Sequence, residues 1–122
     1  MSEAPILHAN PIDIDYLMPL LRMRHEESGR FRGTAHGRFN EPAVRQRLEQ
    51  MICGDGIGFV GVIKGAGAME ATIGLQVARF WDASELHLEG LFDFVHPDHR
   101  RSTHAKRLRA FAKDVARRLS LP

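Results

Sequence analysis

Pro97 is the residue that most limits what this chain can fold into. It follows an apolar run over residues 86–95 and precedes a basic segment, residues 106–119, patterned like a helix. Proline donates no ladder hydrogen bond and disfavours helix at the preceding His96, so a strand must stop there. Ser102 or Thr103 then stands where it can cap the next helix by accepting a hydrogen bond from a first-turn amide. A strand end, a short basic turn and a helix N-terminus gather unpaired N–H groups at the positive end of a helix dipole, which makes an anion site. A capped helix whose arginines only meet solvent would use the same residues.

The other elements are read from spacing. Residues 5–9 read as a short strand broken by Asn10-Pro11, and Asn10 or Asp13 can cap the helix after it. Between residues 12 and 27, Ile14, Leu17, Met18, Leu21 and His25 recur at helical intervals, with Pro19 as a source of a kink. Residues 28–40 form a glycine-rich stretch with three arginines, long for a plain connection. Glu41-Pro42 opens a second helix with Val44, Leu48, Met51 and Ile52 on one face, and Gly54-Asp55-Gly56 ends it. Residues 57–63 and 71–80 read as strands joined by a hairpin loop over 64–70, and Gly74 marks a bulge or a close backbone approach. Residues 81–84 turn into the strand before Pro97. Short links between these strands imply antiparallel pairing. The class is α/β of the α+β kind, one domain over residues 1–122.

With 43% hydrophobic and 26% charged residues, the chain is a globular domain large enough for its own core. No apolar run approaches the roughly 20 residues of a membrane helix, and the N-terminus has no signal-peptide pattern. The one cysteine, Cys53, excludes an internal disulfide and suits a reducing, cytoplasmic setting. Beside a glycine turn and with no paired base evident, Cys53 reads as incidental rather than nucleophilic. The net charge of +2 is uneven: from His96 onward eight Lys/Arg face two acids, so that part carries +6 and the rest −4. The C-terminal part should face something anionic.

Residues Arg100-Arg101-Ser102-Thr103-His104-Ala105 resemble the acetyl-CoA-binding motif of the GNAT superfamily of N-acetyltransferases, Arg/Gln-x-x-Gly-x-Gly/Ala after a strand ending in hydrophobic-x-Pro. Thr103 occupies the place where the family usually has glycine, whose backbone approaches a phosphate more closely. The resemblance implies a GNAT-like antiparallel central sheet, two N-terminal helices and a motif helix after the fourth strand. It implies coenzyme A on Arg100, Arg101, Ser102, Thr103, His104, Ala105 and Lys106, with its pantetheine arm pairing like an added strand along Asp93, Phe94 and Val95. It also places the edge of the acceptor cleft at residues 28–40, and implies a small-molecule or peptide amine as acceptor.

Strict alternation over residues 86–95 puts Leu86, Leu88, Gly90, Phe92 and Phe94 on one face and His87, Glu89, Leu91, Asp93 and Val95 on the other. Apolar residues on both faces predict a largely covered strand. Glu89 and Asp93 are then carboxylates on a buried element and candidate bases, with Glu89 at the position of the catalytic glutamate in the histone-modifying branch of the superfamily. An amine must lose its proton before attacking a thioester, which a carboxylate or histidine can accept. His87, His96, His99 and His104 crowd the region, but their spacings match no zinc signature, so no metal is expected.

The sequence ends at Pro122, directly after the motif helix, whereas full members of the superfamily continue with further strands and a helix. That implies a C-terminally shortened member, a fragment, or a homo-oligomer or partner chain completing the sheet. Tyr16 is the only tyrosine, so the tyrosine acid those later elements often supply has no counterpart. Two functions are compatible with these features: an acetyl-CoA-dependent N-acetyltransferase, or a non-catalytic GNAT-like module in a larger assembly. Nucleic-acid binding is disfavoured, because the basic helix is short and lacks interleaved aromatics.

Overall fold

The computed structural model of the protein describes residues 5–32, 37–54, 56–65 and 68–122. In chain order the elements are β1 (Ile6–His8), α1 (Ile14–Arg32), α2 (Glu41–Cys53), β2 (Gly58–Lys64), β3 (Met69–Arg79), β4 (Leu86–Val95) and α3 (His104–Arg118). Single 3-10 turns, Pro11–Asp13 and Pro97–His99, precede α1 and α3. The strands form one antiparallel sheet in the order β1-β2-β3-β4. No described helix is long and apolar enough to cross a membrane.

Both faces of the sheet are covered. Helices α1 and α2 bury Leu17, Met18, Leu21, Leu48 and Met51 against Val60, Val62 and Phe94. On the opposite face, α3 buries Leu108, Phe111 and Val115 against Ile63, Ala71, Ile73 and Leu75. Each fully buried leucine contributes about 1.5–3 kcal/mol. The stripe on α3 therefore runs through His104, Leu108, Phe111 and Val115, while Ala105 and Leu119 are exposed. Gly61 makes room for Phe111: a Cβ there would lie 2.9 Å from the ring.

Local chemistry sets the helix starts. Asn10 Oδ1 accepts from Ile12 N while Asp13 Oδ2 accepts from Asn10 N, a reciprocal cap, and Asp13 Oδ1 also pairs with Lys64 at 3.0 Å. The buried Asp13 thus ties the end of β2 to the start of α1. Asn40 Oδ1 caps α2 through Ala43 N, and Gly54 ends that helix at φ 107°, a left-handed conformation that suits glycine. Helix α1 continues through Pro19 to Arg32, so the first five residues of the stretch 28–40 are helical. Residues 33–36 of that stretch lie outside the described residues.

β4 departs from the alternation expected of it. Gly74 pairs with Phe92 but Leu75 pairs with Gly90, so Leu91 is an extra residue opposite that step. One inserted residue reverses the facing of everything before it. Glu89 lies opposite Gln76, on the α1/α2 face, and Asp93 lies opposite Ile73, on the α3 face. The two carboxylates do not share a face, contrary to the reading from strict alternation. Nor is the strand largely covered: β4 is the edge of the sheet, and both Glu89 and Asp93 are exposed. Pro122 reaches this edge, where its carbonyl accepts from Leu88 N at 3.4 Å.

Candidate functional site

The junction after β4 is built around Arg100. Its Nε donates to the Val95 carbonyl at 3.2 Å, its Nη2 to Glu27 of α1 at 2.6 Å, and the guanidinium stacks 5.2 Å from the Phe94 centroid. These contacts clamp the end of β4 to α1. Arg101 and Lys106 point outward and are exposed. Ser102, not Thr103, supplies the side-chain cap: its Oγ accepts from His104 N at 3.1 Å and donates to the His99 carbonyl. Thr103 has φ −86° and ψ 10°, so this backbone does not demand glycine where the superfamily motif carries it.

His104 faces inward. Its ring is buried, with Nε2 2.8 Å from Glu70 Oε1, and His99 Nδ1 lies 3.4 Å from the same oxygen. Its ring also stacks on that of His99 in the preceding turn, with centroids 5.8 Å apart. The ligating atoms of Glu70, His99 and His104 lie within 4.8 Å of one another, a grouping that no spacing in the sequence announces. Arg107 Nη1 is 3.5 Å from His104 Nδ1, and arginine only donates. A cation thus stands where a metal-bound imidazole ordinarily meets a carboxylate or carbonyl. The set is better described as a part-buried Glu–His pair locking α3 onto the start of β3. The glycines of residues 64–70 place Glu70 in a hairpin loop by sequence, whereas it lies in β3, and its partners 29 and 34 residues away leave no local pattern.

Among the described residues, cavities open on several sides of β4. One, of about 380 Å³, is lined by Asp93, Phe94, Val95, Arg100, Ala105 and Glu27, so it joins five of the residues assigned to coenzyme A. A second, of about 590 Å³, lies along Gly90 to Asp93 beside Arg109 and Lys113 of α3. A third, of about 440 Å³, opens between α1, α2 and the bulge of β4, against Leu21, Leu48, Phe39 and Phe92. Arg24, Leu91 and Phe92 line both the second and the third. Glu89 lines none of the three; its Oε2 is 3.9 Å from His87 Nε2, and His87 in turn stacks on Phe80 with centroids 4.3 Å apart.

No protein-family model and no curated protein matches the sequence. Solved structures do match the fold. An integron cassette protein from the mobile metagenome of Cole Harbour Salt Marsh superposes with TM-score 0.79 at 15% identity, over 96% of this chain and 72% of that one. A GNAT family acetyltransferase of Staphylococcus aureus gives 0.70 at 18% identity, over 98% and 82%. AAC(6')-Iy in complex with the bisubstrate analog CoA-S-monomethyl-acetylneamine gives 0.71 at 14% identity, over 98% and 76%. At such identities the likeness concerns architecture, and the architecture of this chain is the GNAT fold.

Proposed function

We propose that this protein is an acetyl-CoA-dependent N-acetyltransferase acting on a small-molecule or peptide amine. The observation that carries the reading is the cavity that joins the edge backbone of Asp93, Phe94 and Val95 to Arg100 and the first turn of α3. The residues there fit the coenzyme: an edge strand offers a backbone partner to an extended amide-bearing arm, and first-turn amides beside exposed Arg101 and Lys106 suit a pyrophosphate. When bound, acetyl-CoA supplies the thioester as acyl donor. The chain's own residues hold that donor along β4, admit the amine from the cavity between α1 and α2, and accept its proton.

For the proton, the bulge of β4 separates two roles. Glu89 lies on the α1/α2 face, the side of the amine cavity, with His87 Nε2 3.9 Å from its carboxylate. Asp93 lines the two cavities on the coenzyme side. We therefore assign Glu89 as general base, acting through a water, and Asp93 as a contact to the coenzyme arm and a secondary candidate base. Calorimetric titration with acetyl-CoA, followed by assay of coenzyme A thiol release with a panel of amines, tests this directly. No heat of binding at millimolar acetyl-CoA would overturn it and favour a non-catalytic module docking partners at the open β4 edge.

A further inference from the structure

We infer that the acceptor is an anionic, partly apolar amine, an amino acid or short peptide whose carboxylate is held by Arg24. The inference deepens the acetyl-transfer reading, on which it rests for the identity of the acceptor site. The cavity between α1, α2 and the β4 bulge holds about 440 Å³, room for an amino acid or dipeptide. Its walls are mainly apolar, Leu21, Leu48, Phe39 and Phe92 among them, and its charged lining residues are Arg24 and Arg47. No carboxylate stands among the described residues lining it.

Three acids of α1 and α2 are already paired, and Asp93 of β4 lines the adjoining cavity with Arg24 without forming an ion pair with it. Glu41 pairs with Arg22 at 3.0 Å, Asp15 with Arg45 at 2.8 Å and Glu27 with Arg100. Arg47 is hydrogen-bonded to Gln76 of β3. Arg24 differs: it is half-buried, and among the described residues it has no ion-pair or hydrogen-bond partner. It also lines the adjoining 590 Å³ cavity beside β4, so it sits where the two spaces meet at Leu91 and Phe92. A guanidinium partly removed from water and lacking an anion is a ready fork for a carboxylate, which it binds through two parallel hydrogen bonds. The same pair of arginines repels a polycationic amine. An acceptor anchored by its carboxylate at Arg24 would point its amine along the bulge, toward the edge of β4.

The test is equilibrium binding by protein NMR, using phenylalanine and the dipeptide Leu-Phe, each against its C-terminal amide, with neamine as a polycationic probe. The expected result is at least tenfold tighter binding of the acids than of the amides, and no neamine binding in the cavity. In Arg24→Gln the preference should collapse; in Arg24→Lys, which keeps charge without the fork, part of it should return. Equal affinity of acid and amide, no binding of either acid, or preferential binding of neamine would overturn the inference. Thiol release with acetyl-CoA is read separately. Carboxylate-selective binding without any thiol release upholds the anion site while refuting acetyl transfer, whereas release with neamine but not the acids does the reverse.

Discussion

Gly74 of β3 lies directly beneath the ring of Phe92 on β4: a Cβ at position 74 would stand 2.2 Å from Phe92 Cε2. The contact falls at the register step that leaves Leu91 as the extra residue, and Phe92 lines both cavities beside the bulge. Gly74→Ala should therefore displace the ring and cost about 1–3 kcal/mol, the usual penalty of overpacking. Phe92→Leu should relieve it, so the double variant should be more stable than the sum of the single changes allows. Urea unfolding of the four proteins measures this; strict additivity would show that the ring does not respond to residue 74.

The start of α3 makes a second contrast. Ser102 holds both the His104 amide and the His99 carbonyl, while the Thr103 side chain makes no capping bond. Ser102→Ala should cost about 1 kcal/mol, as loss of an N-cap does. Thr103→Gly should cost about 0.5–1 kcal/mol through backbone entropy, with no left-handed strain to relieve, since φ at this position is already negative. If Thr103 crowds the phosphates, the glycine variant should also bind coenzyme A more tightly. Thermal melts and titration with acetyl-CoA separate the two effects.

Much of this was legible in the sequence. Pro97 fixed the end of β4, the apolar spacing of Ile14, Leu17, Met18 and Leu21 gave the buried face of α1, and Gly74 signalled a close approach. The bulge at Leu91 was not legible, because alternation assumes one residue per step and the insertion is settled by pairing with β3. That single residue moved Glu89 away from Asp93. The Glu70–His104 pair and the commitment of Arg100 to Glu27 were hidden for a related reason: each joins side chains far apart in sequence, and no local pattern encodes them.

The clamp on Arg100 separates two basic residues that look alike in sequence. Arg101→Ala removes an exposed charge and should weaken acetyl-CoA binding modestly while flattening its salt dependence, with stability unchanged. Arg100→Ala also breaks the contacts to Glu27 and the Val95 carbonyl, so it should lower stability as well as affinity. Calorimetry across a salt series, with melting curves alongside, resolves the pair. Unchanged affinity in the double variant would remove coenzyme A from this turn.

Glu89→Gln keeps the shape of the side chain and removes the proton acceptor. Turnover should fall by roughly 10²–10⁴ with acetyl-CoA affinity nearly unchanged, since Glu89 lies outside the cavity assigned to the coenzyme. Asp93→Asn, by contrast, alters a residue lining both coenzyme-side cavities and should act mainly on cofactor binding. A reversal of these two signatures would exchange the roles.

The open side of β4 bears on how the chain associates. As the edge strand it presents backbone groups that β3 does not use, and among them the Leu88 amide meets Pro122. Exposed Leu86 and, just before the strand, exposed Phe80 and Trp81 extend this side with apolar surface. Glu89, Asp93 and the bulge protect the edge only in part, so two copies should pair across a two-fold axis. Light scattering at micromolar concentration should then show more than the 13.8 kDa of one chain, and Leu86→Lys should shift the balance toward monomer. Pairing through residues 93–95 would also occupy the backbone assigned to the coenzyme arm, so saturating acetyl-CoA should dissociate such a dimer. A dimer indifferent to acetyl-CoA would mean that the contact lies elsewhere, and a stable monomer at every concentration would mean that the Pro122 contact, the bulge and the two carboxylates are protection enough.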